Sequence, residues 1–188
     1  MAIKIAIINQ KGGVGKSLLA DELAFEFERK GLLFNFYDLD GQGGLIHEER
    51  ELENAQYNIV DTPGQLTKDI LNAIKETDII IVPTRASIKE MEPLQRTLQV
   101  IENCKKDNAV VILVLNGWNR FTAYSQFEEW LAEEYPEFNK IVAIPQSEDL
   151  TKAGVVGKSV IEFNPRSKAS EQLSKLWAIV EYELGMKL

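Results

Sequence analysis

At 188 residues, 45% hydrophobic and 27% charged, the chain has the size and composition of one globular domain with a substantial core. Its formal net charge of −8 works against diffuse nucleic-acid binding by the whole surface, so any DNA contact would need a local basic patch. The single cysteine, Cys104, permits no internal disulfide and fits a reducing cytoplasm, while no apolar run approaches the ~20 residues of a membrane span.

The elements follow in order. Residues 3–9 form an apolar, β-branched run, the pattern of a parallel strand buried on both faces. After a glycine-rich loop, a helix is expected from Lys16 to about Lys30, with Leu18, Leu19, Leu23, Phe25 and Phe27 supplying its apolar surface and Gly31 ending it. Residues 32–37 read as a second buried strand that delivers Asp38 and Asp40 to its carboxyl end. The acidic stretch 45–56 reads as a solvated helix or connection, with His47 on its surface and no clustered partner to suggest a metal. A third strand, 57–60, ends at Asp61. A helix from about residue 66 to 75 leads to a strand at 78–82, closed by Pro83. A long helix (87–106) and a strand (109–115) follow, and Asn116-Gly117 marks the strand's end.

Residues 121–134 predict an amphipathic helix whose Phe121, Tyr124, Phe127, Trp130 and Leu131 belong to the core. A short strand (141–144) stops at Pro145. The last helix begins near Arg166 and carries Leu173, Leu176, Trp177, Val180 and Leu184. Glu171, Glu181 and Glu183 outnumber Lys175 and Lys187 on it, so the stripe docks on the sheet rather than on a membrane. Residues 1–8 are too short and too soon interrupted for a signal peptide. No repeat or linker divides the chain. The alternation of strands and helices predicts an α/β fold, a single domain over residues 1–188 with a mostly parallel central sheet and helices on both faces. Its ligand site lies at the carboxyl ends of the strands.

The chemistry centres on Asn9-Gln10-Lys11-Gly12-Gly13-Val14-Gly15-Lys16-Ser17. Strand, glycine loop and helix in that order make a phosphate-binding loop: glycines let successive N–H groups turn inward on an anion, and the helix N-terminus adds its dipole. Lys16 can reach the β- and γ-phosphates and Ser17 can ligate Mg²⁺. Gln10 stands where the plain pattern has its first glycine, and Lys11 is an extra cation. Taken singly, Asp38 could be a simple cap and Asp61 an Asx turn with Thr62-Pro63-Gly64. Three such acids downstream of one phosphate loop argue against those separate readings, and Asp38 and Asp40, two residues apart on an extended backbone, can both face the phosphates.

Three stretches carry a family resemblance. Residues 11–17 resemble the deviant Walker A box, K-G-G-x-G-K-[ST], of the ParA/MinD P-loop ATPases. Tyr37-Asp38-Leu39-Asp40-Gly41-Gln42-Gly43-Gly44 resembles the D-x-D-P-Q-G switch I of that family, with Gly41 in place of proline. Ile59-Val60-Asp61-Thr62-Pro63-Gly64 resembles its Walker B and switch II segment. The layout resembles most the short plasmid-partition ParA proteins, and the lone Cys104 argues against an iron–sulfur relative of this fold.

The resemblance implies an ATPase that takes ATP and Mg²⁺. Lys11, Gly12, Gly13, Val14, Gly15, Lys16, Ser17 and Leu18 would hold the nucleotide, with Asn116 and the segments around Pro145, Gln146 and Pro165 near the adenine. Ser17, Asp38 and Asp61 would serve the metal, and Asp40 would orient the attacking water. Lys11 would cross a two-fold axis to the nucleotide of a second subunit, giving an ATP-dependent homodimer. The expected function is DNA (plasmid or chromosome) partition in the cytoplasm, with a ParB-like centromere-binding adaptor and no membrane partner. Non-specific DNA contact would run through Lys152, Lys158, Arg166 and Lys168, a basic island in an acidic chain. The alternatives are a positioning ATPase for a protein cargo or division-site component, and a biosynthetic P-loop ligase, which Lys11 disfavours.

Overall fold

The computed structural model describes residues 2–185 except 42, 66, 120 and 121. Gln42 of the switch-like stretch, the expected start of the second helix at residue 66, Phe121 of the aromatic stripe and Lys187 therefore lie outside the described residues. The elements are β1 (Ile3–Ile7), α1 (Lys16–Arg29), β2 (Phe34–Asp38), β3 (Tyr57–Asp61), α2 (Lys68–Glu76), β4 (Ile79–Thr84) and α3 (Ile88–Cys104). They continue with β5 (Val110–Trp118), α4 (Thr122–Glu134), β6 (Ile141–Pro145), α5 (Glu148–Val155), α6 (Val160–Phe163) and α7 (Lys168–Glu183). The six strands form one sheet in the order β2-β3-β1-β4-β5-β6. Every ladder is parallel, where a mostly parallel sheet was expected.

Period-two alternation explains why these strands read as continuous apolar runs. Ile5 and Ile7 of β1 face a cluster with Phe34, Phe36, Ile59, Leu19, Leu23, Phe27, Leu173, Leu176 and Trp177. Ala6 and Ile8 face the opposite cluster, with Val60, Ile80, Val82, Ile74, Leu98, Phe127 and Leu131. Thus α1 and α7 cover one face, while α2, α3 and α4 cover the other. The docking expected of the last helix is seen, with Leu173, Leu176, Trp177 and Val180 all buried. Among the described residues no helix is long and apolar enough to cross a membrane.

Two features escaped the sequence reading. The short helices α5 and α6 occupy a stretch for which no element was expected. The acidic side of α1 is not solvated either: Asp21, Glu22 and Glu26 are all buried. Glu22 accepts hydrogen bonds from the Ser159 hydroxyl at 2.6 Å and the Val160 amide at 2.9 Å, which pins the start of α6 to α1. Burial pushes the Glu22 carboxyl up, and those two donors pull it back. Asp21 accepts from the backbone amides of Ile46 and His47.

The expectation of a surface histidine is corrected here. The His47 side chain is only 9% exposed, with Nδ1 2.7 Å from Asp21. Its ring packs edge-on to Phe25 at 4.4 Å between centroids. Removing Glu22 would strand two buried donors. Glu22→Ala should lower stability by about 2–3 kcal/mol, read as a lower urea midpoint with an unchanged slope.

Candidate functional site

The loop after β1 leaves the sheet where the strand order turns: β3 lies on one side of β1 and β4 on the other, and the crevice at such a switch point takes the ligand. Side chains from neighbouring elements fix its path. The Asn9 amide donates to the Pro83 carbonyl at the end of β4 (2.7 Å), while its oxygen accepts from the Lys11 amide (2.9 Å). The Gln10 amide donates to the Thr97 hydroxyl of α3 at 3.3 Å. From the end of β5, the Asn116 amide donates to the Val14 carbonyl at 2.9 Å. On the β3 side Gly64 comes so close that a Cβ there would lie 3.2 Å from the Gly12 amide nitrogen.

Gly15 holds φ +101° and caps α1 with no side chain, so the first amides of the helix face the crevice without an internal acceptor. Lys16, 6% exposed, turns its ammonium back to the Lys11 carbonyl at 3.2 Å. Burial lowers its pKa, and Asp61 and Asp40 oppose that. A backbone cradle with one desolvated cation above it is suited to a polyphosphate.

Asp61 ends β3 at 0% exposure, and neither carboxylate oxygen has a hydrogen-bond partner. Burial raises its pKa to about 6, with Asp38 and Asp40 adding to the rise and Ser17 and Lys16 opposing it. The Ser17 hydroxyl is near enough to exert that pull but falls outside hydrogen-bonding geometry. An orphaned buried carboxylate beside a hydroxyl is a hard-oxygen donor set, and it fits Mg²⁺, which is usually held by one or two protein oxygens plus phosphate and water.

The switch-like loop is shaped by Asp38, whose Oδ1 accepts the Asp40 and Gly41 amides at 2.9 and 3.0 Å. Asp38 therefore performs the capping role left open above, while its charge still acts on Asp61. Gly41 takes φ +61°, a conformation closed to the proline it replaces. Asp40 lines a cleft of about 720 Å³ with Gly12, Leu39, Pro63, Gly64 and Gln65.

Lys11 behaves differently from Lys16. It turns out of its own loop, and its ammonium lies 2.6 Å from Glu90 on α3. Asn116 and Pro145 stand at the ends of adjacent strands, and Leu18 lies half-buried on α1. Gln146 continues from β6 with its amide on the Trp118 carbonyl, while Pro165 sits apart, exposed beyond α6. Lys152, Lys158, Arg166 and Lys168 are all exposed along α5–α7. Two of them are engaged by acids, Lys152 with Glu148 at 2.9 Å and Lys168 with Glu171 at 2.8 Å. Sequence reasoning gave no role to Asn9, Thr97 or Glu90. The last two lie far from the loop in the chain and carried no local signal of it.

Residues 5–160 match the family model described as the CobQ/CobB/MinD/ParA nucleotide binding domain. The chain is 24% identical to the chromosome-partitioning ATPase Soj of Thermus thermophilus, over 92% of this chain and 93% of that protein. Its fold is similar to that of McdA from Cyanothece, solved in complex with ATP, with a TM-score of 0.80 and 17% identity over 100% of this chain and 98% of that one. It is also similar to MinD from Pyrococcus horikoshii, solved with Mg-ADP, with a TM-score of 0.71 and 16% identity over 98% of each chain. At these identities the superpositions establish a shared fold.

Proposed function

The chain belongs to the CobQ/CobB/MinD/ParA nucleotide-binding family, and from that premise we propose a single-domain ATPase that dimerises on ATP and partitions DNA, stimulated by a centromere-binding partner protein. The observation that carries the dimer is Lys11. Its ammonium is held by Glu90 on α3 at 2.6 Å rather than by its own phosphate cradle, and its side chain stays 39% exposed. A cation so placed is wasted on its own nucleotide and is positioned to meet a second subunit's.

Each residue then has a task. The loop amides and Lys16 hold the β- and γ-phosphates. Ser17 and Asp61 hold the metal. Bound Mg²⁺ supplies neutralisation of the phosphate charge. Asp40, at the cleft wall, orients the attacking water, and Asp38 keeps Asp40 in place through the turn it caps. Lys11 adds charge stabilisation from across the interface. Loss of the γ-phosphate then removes the shared contact and lets the dimer open. Asn116 and Pro145 border the base.

A second reading, a positioning ATPase for a protein cargo, is favoured by the pairing of Lys152 and Lys168 with Glu148 and Glu171, which offsets half of the basic island. Two measurements test these readings. In sizing with ATP and Mg²⁺, the native chain should elute as a dimer and Lys11→Ala as a monomer; identical behaviour would rule out the trans role. ATP-dependent co-sedimentation with DNA at moderate salt supports partition, and its absence in every nucleotide state supports the cargo reading.

A further inference from the structure

We propose that Glu90 is a positioning residue that latches Lys11 in the monomer and so sets how much nucleotide is needed to release it. This rests on the reading above, in which Lys11 serves a second subunit.

Ser87-Ile88-Lys89-Glu90 has the spacing of a capping box, in which a glutamate at the third helical position reaches back to the amide of the cap residue. Here that bond is not made. The Ser87 amide donates instead to the Arg85 carbonyl at 3.0 Å, and the Ser87 side chain makes no cap bond. The freed Glu90 carboxylate turns to the phosphate loop and takes the Lys11 ammonium at 2.6 Å. Its side chain is 9% exposed, and Oε2 has no partner at all. Among the described residues, Lys11 is therefore the one hydrogen-bond donor on this buried carboxylate.

Pulling Lys11 across a dimer interface would leave Glu90 buried and unpaired, a state that opposes release. The N-terminus of α3 offsets part of that cost, because its dipole favours a carboxylate in the first turn. The residual penalty falls on dimerisation alone. Phosphate binding, carried by the loop amides and Lys16, does not involve it. Glu90 is thus placed to keep Lys11 engaged until a second nucleotide-loaded subunit offers a stronger anion.

The test has two arms. In the nucleotide-free monomer, amine-reactive ester labelling followed by mass spectrometry should modify Lys11 slowly in the native chain and several-fold faster in Glu90→Gln. Equal rates would overturn the latch whatever Lys11 does in a dimer. In the second arm, sizing against AMPPNP concentration with Mg²⁺ removes hydrolysis as a variable. Glu90→Gln should reach half-dimer at a nucleotide concentration about tenfold lower than the native chain. Glu90→Asp, which keeps the charge but withdraws it from Lys11, should shift the midpoint the same way. An unchanged or raised midpoint in both variants, with Lys11→Ala still monomeric, overturns the latch and leaves the trans role standing. A Lys11→Ala chain that dimerises like the native one overturns the trans role and the latch with it.

Discussion

Gly15→Ala should cost the nucleotide-free protein about 3 kcal/mol and weaken ATP binding by at least ~100-fold. Two separate effects combine there. At φ +101° an alanine sits in backbone space that L side chains rarely occupy, at about 1–2 kcal/mol. Its Cβ would also overlap the Asn116 amide. A mobile asparagine could move aside, but this one donates to the Val14 carbonyl at 2.9 Å. Displacing it gives up that bond, worth about 1 kcal/mol, and frees the loop that should cradle the phosphates. Urea unfolding reads the first loss and titration with a fluorescent ATP analogue reads the second. The double variant Gly15→Ala/Asn116→Ala should recover only part of the stability, since it relieves the overlap and leaves the backbone strain. Gly12→Ala is the contrast: its φ is not positive and its Cβ meets nothing within 4 Å, so the nucleotide-free protein should keep its stability. If Gly15→Ala unfolds at the native urea midpoint, Asn116 does not brace the loop.

What could be read from the chain followed from how local the determinants are. The phosphate loop was legible because strand, glycines and helix adjoin, and Asp38, Asp40 and Asp61 were legible because each sits at the end of an apolar run. The sheet was legible because burial on both faces leaves little but apolar residues in β1 and β4. The misreadings have the opposite character. His47 looks solvated within an acidic segment, and only folding brings Asp21, 26 positions earlier, onto its amide and ring nitrogen. The helix α6 is four residues long and starts at a serine and an amide bonded by Glu22, more than a hundred positions before it. Glu90 misleads in a further way, since its local pattern describes a capping box while its carboxylate answers to Lys11, 79 positions away. Local pattern and tertiary partner compete for one side chain there, and the Lys11 ammonium wins.

Asp61 yields the second large effect. Its pKa rises from 3.8 to about 6 because the folded chain removes the carboxylate from water without giving either oxygen a hydrogen bond. The folded state therefore holds its proton more tightly than the unfolded state does. Between about pH 4 and pH 6 the folded chain binds the extra proton, so stability falls as pH rises through that window. Above it the full loss, on the order of 3 kcal/mol, is in place. Nucleotide-free protein should accordingly be more stable near pH 5 than near pH 7.5. Glu22, also raised by burial, adds slope of the same sign, so the informative quantity is the difference between two curves. Asp61→Asn removes the titrating group. Near pH 7.5 it should gain about 1–2 kcal/mol over the native chain, less than the full amount because a buried amide remains unsatisfied and Lys16 loses a counter-charge. Near pH 4.5 the gain should vanish. If Asp61 serves the metal as proposed, the same variant should also lose Mg²⁺-dependent nucleotide binding, because its carboxylate would be the oxygen donor. For the native chain, Mg²⁺ with nucleotide should flatten the pH dependence, because a cation on Asp61 replaces the missing hydrogen bonds. Urea midpoints measured from pH 4.5 to 7.5 for both chains decide the matter. Parallel curves would mean that the Asp61 carboxylate is solvated in the folded protein and is not waiting for a metal.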